Sequence, residues 1–133
     1  MIIEIDTQSP LPIYEQLRNQ VVLGIARREL VPGEPLPSVR RLGADLGINF
    51  HTVNKGYATL CDEGYIYMDR RRGAVVAERT VSSDTREAFE SMLKRKLTLS
   101  AAEAVCHGIE TGEFALMCAE CFDKAKENDN DRA

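Results

Sequence analysis

With 133 residues, 44% hydrophobic and 29% charged, the chain suffices for one small domain and an appendage, and is too short for two full globular domains. No run of about 18 apolar residues occurs, and the N-terminal MIIEIDTQSP lacks a basic segment followed by an apolar core, so neither a membrane span nor a signal peptide is expected and the protein is expected in the cytoplasm. The formal charge of −4 is uneven: residues 1–79 hold ten Lys/Arg and ten Asp/Glu, residues 80–133 seven and eleven, so the acidity of the second stretch does not exclude a polyanion partner for basic patches in the first.

Pro12 opens a helix over roughly 13–29, in which Ile13, Leu17, Val21 and Ile25 recur every four residues as a core stripe. The turn VPGEP at 31–35 ends it, because its prolines and glycine cannot continue a helix. Ser38 caps a second helix whose apolar Val39, Leu42 and Leu46 share a face opposite Arg40 and Arg41. Gly47 stops that helix. Asn49 caps a third, which buries Val53, Tyr57 and Leu60 and leaves His51, Asn54 and Lys55 outward. After Gly64, YIYMD and AVVAE read as short strands joined by a basic loop that ends at Gly73. Two capped helices around a glycine turn, followed by a basic hairpin, have the layout of a winged helix-turn-helix.

Beyond Arg79, TVSSD reads as a hinge and helix cap, followed by a helix from about 85 to 97 with Phe89, Met92, Leu93 and Leu97 on one face. Ser100 and Glu103 form a capping-box pattern that predicts a second helix start, and TGEF at 111–114 begins a further helix carrying Phe114, Met117, Cys121 and Phe122. The closing KENDNDRA is expected to be disordered. Helices of this size are stabilised mainly by packing their apolar sides, and too few are present to cover one another, so a second copy of the chain is the expected partner. The expected fold is therefore mainly α with a small β-hairpin. Residues 1–80 form the winged helix-turn-helix, with the helical motif at about 38–64 and the wing at 65–78, and 81–133 form a short helical dimerisation region with a disordered tail.

The motifs SPLPIYEQ at 9–16, PGEPLPSVRRLGADLGI at 32–48, TVNKGY at 52–57, EGYI at 63–66 and RRRGAVVA at 70–77 resemble, in order and spacing, the GntR family of bacterial transcription regulators and its short YtrA-like branch. The resemblance covers somewhat more than half of the chain. It implies a homodimeric regulator, most simply a repressor, that binds an inverted-repeat operator in double-stranded DNA. No cofactor, metal or membrane is implied, and no small-molecule effector is identified. With 53 residues after position 80, the aminotransferase-like domain of another branch is not expected. Three positions depart from the family pattern: Gly43 stands where alanine is common and implies close helix contact, Phe50 replaces a polar residue or proline, and Arg71 replaces the first glycine of the wing tip.

The candidate DNA-binding set is Ser38, Arg40, Arg41, Phe50, His51, Thr52, Asn54, Lys55, Arg70, Arg71, Arg72 and Gly73. Arg40 matches the arginine of the family's LPSxR motif, which in relatives contacts the operator, and suits a phosphate or guanine. Asn54 suits a bidentate contact to adenine, Lys55 guanine or phosphate, and Thr52 a phosphate or thymine methyl. Phe50 either meets a thymine methyl beside His51 or packs between helices. Asn49 reads as a cap, and Arg41 reaches DNA or pairs with an acidic neighbour. Arg70, Arg71 and Arg72 suit a phosphate backbone or narrow minor groove, with at least one simply solvated. An isolated charge such as Arg18 reads as surface.

The alternative reading is a thiol- or metal-responsive sensor using Cys106, Cys118 and Cys121, with His107 adjacent to the first. One CxxC on a helix face, without a second pair to close the set, is a weak metal signal. Cys61 reads as packing, and in a reducing compartment no disulfide is expected. An enzyme is not indicated: no nucleophile has a matched base, no glycine loop cradles phosphate, and His51 and His107 are the two histidines.

Overall fold

The computed structural model describes residues 3–78 and 83–128. Along them run α1 (Ile13–Ala26), α2 (Val39–Leu46), α3 (Phe50–Asp62), β1 (Ile66–Asp69), β2 (Gly73–Val76), α4 (Ser83–Cys106) and α5 (Thr111–Lys126). They fall into two compact units, Met1–Arg79 with Asn128–Ala133, and Thr80–Glu127. No helix among the described residues is long and apolar enough to cross a membrane.

The first unit is organised by α3. Its inward residues Val53, Tyr57 and Leu60 meet Leu17 and Val21 of α1, Leu42 of α2, and Ile66, Ala74 and Val76 of the hairpin in one apolar cluster. Leu17, Val53 and Leu60 are completely buried, and burial of each such side chain contributes about 1.5–3 kcal/mol. Two glycines let the helices meet. A Cβ on Gly56 would lie 3.0 Å from Leu17 Cδ2 and 3.2 Å from the Tyr14 carbonyl oxygen, so α3 crosses α1 at backbone range. A Cβ on Gly43 would lie 3.0 Å from the Ile48 carbonyl oxygen and 3.3 Å from Phe50 Cα, which is the close contact expected there.

Both expected caps of the motif are present. Ser38 Oγ accepts from Arg41 N at 3.2 Å, and Asn49 Oδ1 accepts from His51 N at 2.9 Å. Between them Gly47 takes the left-handed conformation with φ 67° and ends α2. The Tyr57 hydroxyl donates to the Pro37 carbonyl oxygen at 2.8 Å, tying α3 to the segment that leads into α2. Burial raises that phenol's pKa.

Helix α1 stops earlier than its sequence suggests, at Ala26 rather than about 29. Arg28 adopts φ 61°, and the Gly24 carbonyl oxygen accepts from both Glu29 N and Leu30 N, at 2.9 and 3.1 Å. This turn sends Leu30 into the core, so the stop is set by burial before the VPGEP prolines act. Those residues have a different task. Gly33 N donates to Val76 O at 2.8 Å, Val76 N to Glu34 O at 2.9 Å, and Leu36 N to Ala74 O at 2.8 Å, with Pro35 bridging Val75. Strand β2 thus pairs on both edges, with 33–36 on one side and β1 on the other in antiparallel register from Ile66↔Val76 to Asp69↔Gly73.

Two polar side chains complete this unit. Gln16, buried, accepts from Asp6 N at 2.9 Å and donates to the Asp6 and Leu11 carbonyl oxygens at 3.0 and 2.8 Å, holding the segment before α1 against the helix. Arg18, expected to be a solvated surface charge, instead makes a two-point pair with Glu63. Nε donates to Oε1 at 3.0 Å and Nη2 to Oε2 at 2.6 Å, which locks α1 to the end of α3.

In the second unit, α4 runs unbroken from Ser83 to Cys106, so the predicted end near 97 and fresh start at Ser100 do not occur. A capping box requires a chain leaving the helix before its serine. LTLSAAE contains no glycine or proline to break the ladder, and Thr98 satisfies its hydroxyl by donating to the Lys94 carbonyl oxygen at 2.8 Å. The break comes at Gly108, φ 76°, with Ile109 N donating to Ala104 O. Helix α5 begins at Thr111 as expected and extends through Lys126, into the stretch expected to be disordered. The hinge at 80–82 and the tail at 129–133 lie outside the described residues.

Candidate nucleic-acid interface

Because α3 turns Val53, Tyr57 and Leu60 inward, its helical period puts His51, Asn54 and Lys55 on the exposed side, with Thr52 half-buried at the margin. Arg40, exposed on α2, lies over the Phe50 ring with its guanidinium carbon 4.6 Å from the centroid. The Phe50 and His51 rings are 4.2 Å apart. Phe50 is half-buried, with part of its surface packed and part open to solvent. Ser38 and Asn49 use their side-chain oxygens as caps. Arg41 sits 3.9 Å from Asp45 with both groups open to solvent, and a pair of that kind contributes little.

Lys55 has a partner that its sequence context did not suggest. Its Nζ lies 4.2 Å from the centroid of the Tyr14 ring, in the first turn of α1. The Tyr14 hydroxyl donates to Glu15 Oε1 at 3.2 Å, and that carboxylate raises the phenol's pKa. Pro12, Ile13, Tyr14, His51, Thr52 and Lys55 line one shallow hollow, so α1 shares the exposed surface of α3. An aromatic residue directly after PI in SPLPIYEQ was the available signal, but the contact spans 41 positions.

The wing divides its three arginines. Asp69 Oδ1 accepts from the backbone N–H groups of Arg71 and Arg72 at 2.8 and 3.1 Å, which holds its carboxyl below the usual aspartate range. Arg72 turns back on the hairpin. Nη2 donates to the Tyr67 hydroxyl at 3.0 Å and to Asp69 Oδ2 at 3.4 Å, and Nη1 to the Gly33 carbonyl oxygen at 3.4 Å. Arg70, Arg71 and Arg72 are all exposed, Arg72 while keeping these bonds, and Gly73, where β2 begins, has φ 75°.

In α4 and α5, Phe89, Leu93, Leu97, Met117, Cys121 and Phe122 are exposed, and Met92 and Phe114 are half-buried. Cys106, Cys118 and Cys121 are free and exposed. Cys61 is half-buried against the core, and burial followed by the charge of Asp62 raises its thiol pKa. Among the described residues, no three or more His, Cys, Asp or Glu side chains cluster so as to hold a metal.

A helical core whose second and third helices are capped about a left-handed glycine, with a hairpin beyond, is a winged helix-turn-helix. The family model for bacterial regulatory proteins of the gntR family matches residues 12–76, and the HTH-type transcriptional repressor YtrA of Bacillus subtilis (strain 168) is 35% identical over 109 residues, spanning 82% of this chain and 83% of YtrA. The chain belongs to the GntR family. A transcriptional antiterminator from Listeria monocytogenes EGD-e has a crystal structure similar over 96% of both chains, with TM-score 0.85 and 27% identity. AraR(DBD) in complex with operator ORX1 is similar over 58% of this chain and 99% of that one, with TM-score 0.52 and 26% identity. The protein is thus a DNA-binding transcriptional regulator, a binding protein rather than an enzyme.

Proposed function

We propose that two copies of this chain assemble through α4 and α5, and that the paired winged domains bind an inverted-repeat operator and repress transcription. Arg40, Asn54 and Lys55 meet the major groove, while Arg70 and Arg71 follow the backbone or minor groove beside it. The observation that carries the pairing is the apolar row on α4. Phe89, Leu93 and Leu97 recur every four residues on one face and are 46%, 39% and 44% exposed, with Met117 and Phe122 of α5 also open. Contiguous apolar surface of this kind is seldom left bare and is most simply covered by its own copy. Repression is supported by the name of the YtrA relative.

A fragment ending at Arg79 tests the reading, since the α1–α3 and hairpin cluster encloses its own core. The expected outcome is a folded monomer by circular dichroism and analytical ultracentrifugation, against a dimer for the full chain. Its affinity for a paired operator should fall by about 10²–10⁴, because the second half-site contact is no longer intramolecular. A fragment that dimerises as tightly as the whole chain would move the interface into the winged domain.

A further inference from the structure

Position 50 opens α3 directly after the Asn49 cap, and its ring is not committed to the core: Phe50 is only half-buried. The ring has two close neighbours, the Arg40 guanidinium at 4.6 Å and the His51 imidazole at 4.2 Å with the planes 35° apart. Arg40 comes from α2, whereas Phe50 and His51 come from the first turn of α3. The backbones beneath the pair run close, since a Cβ on Gly43 of α2 would lie 3.3 Å from Phe50 Cα. The aromatic ring therefore joins a side chain of one motif helix to the start of the other.

An unrestrained arginine samples many rotamers, and its planar fork discriminates a base only when presented in one orientation. A guanidinium stacked on a ring face is attracted by the ring quadrupole while its N–H edges stay free to donate outward.

We propose that Phe50 is a specificity-determining positioning residue: its ring holds Arg40 in the orientation from which the guanidinium meets a base edge, so the base preference at the pair that Arg40 reads depends on residue 50. The proposal rests on Arg40 meeting DNA, as in the function proposed above.

The test uses the full-length protein. A randomised duplex library selected with the wild type supplies the preferred duplex, and competition against its single-base variants is then measured for Arg40→Ala, Phe50→Leu, Phe50→Met, Phe50→Tyr and the Arg40→Ala/Phe50→Leu double variant. Leucine and methionine keep apolar bulk without a π face, and two replacements guard against one that folds poorly. Arg40→Ala should flatten the preference at one base pair per half-site. Phe50→Leu and Phe50→Met should flatten the same pair and lower affinity roughly 2- to 5-fold, and Phe50→Tyr should restore both. The double variant should bind no more weakly than Arg40→Ala alone, because the ring acts through Arg40. A general loosening of the motif would not confine its effect to that one pair. If Arg40→Ala flattens a pair that both Phe50 variants leave sharp, or if the two losses add, the inference falls while Arg40 keeps its place at the DNA. A uniform loss across sequences for Arg40→Ala, the mark of a phosphate contact, also overturns it. No change for Arg40→Ala removes Arg40 from the interface and the inference with it.

Discussion

The ammonium of Lys55 rests 4.2 Å from the centre of the Tyr14 ring, joining the exposed face of α3 to the first turn of α1. This contact places the lysine head over one spot on the surface proposed to face DNA, and Glu15 accepts from the Tyr14 hydroxyl. Lys55→Ala should weaken DNA binding and reduce the slope of log affinity against log salt by about one unit. Tyr14→Ala removes no positive charge, so it should lower affinity while leaving that slope unchanged. Binding isotherms across a salt series check both; an unaltered slope in Lys55→Ala would remove the lysine from the phosphates.

Asn54 lies on the exposed side of α3, opposite the buried Val53, Tyr57 and Leu60. Its amide can donate to and accept from adenine at once. Asn54→Ala should cost about 1–3 kcal/mol and relax the preference at one base pair per half-site. Competition between duplexes differing at single positions reads this directly. Wild-type affinity with unchanged preference would mean that another face of the helix enters the groove.

At the wing tip, Asp69 accepts the Arg71 and Arg72 N–H groups, and its carboxyl is held below the usual range. The sign follows from that depression: the stabilisation is complete above the ordinary aspartate pKa of about 3.9 and is lost as pH falls through the lower folded value. Asp69→Ala should reproduce the acid state at neutral pH, with reduced amide-exchange protection at Arg71 and Arg72 and weaker DNA binding. Protection factors equal to wild type would show that the turn holds without the carboxylate.

Arg71 and Arg72 should separate in the same assay. Arg71→Ala should reduce the salt slope, whereas Arg72→Ala, which removes the bonds to Tyr67, Asp69 and Gly33, should chiefly reduce protection across 69–73. Equal salt slopes for the two variants would place both arginines in the same role.

Gly43→Ala tests the helix crossing. Alanine in a helix interior ordinarily gains about 0.5–1 kcal/mol over glycine. Here its Cβ would press on the Ile48 carbonyl oxygen at 3.0 Å, a backbone atom in the turn of the motif. The variant should therefore be less stable than wild type in urea denaturation. A gain in stability would show that the turn yields freely.

Local chemistry sufficed for the parts that are written in consecutive residues. Ser38, Gly47 and Asn49 delimit the motif helices through caps that act within three residues, and the apolar periods of α1, α2 and α3 select the faces that become the core. The hairpin and its basic tip are equally local, as is the opening of α5 at Thr111. What escaped was non-local or a contest between two local rules. The pairing of 33–36 with β2, the Gln16 clasp, the Arg18–Glu63 lock and the Tyr14–Lys55 contact join residues that no periodicity links. Arg72 has the same side chain and charge as Arg70 and Arg71, and only the nearness of Tyr67 and Gly33 gives it partners on the hairpin surface. At Ser100 a capping box competed with an intact helical ladder, and the ladder prevailed because nothing before it breaks the chain. The sequence by itself determined the winged helix-turn-helix and the solvent-facing sides of its helices, since caps and periods act over a few residues. Only the tertiary structure decided which of those exposed side chains gain partners, since that depends on segments far apart in the chain meeting over one core.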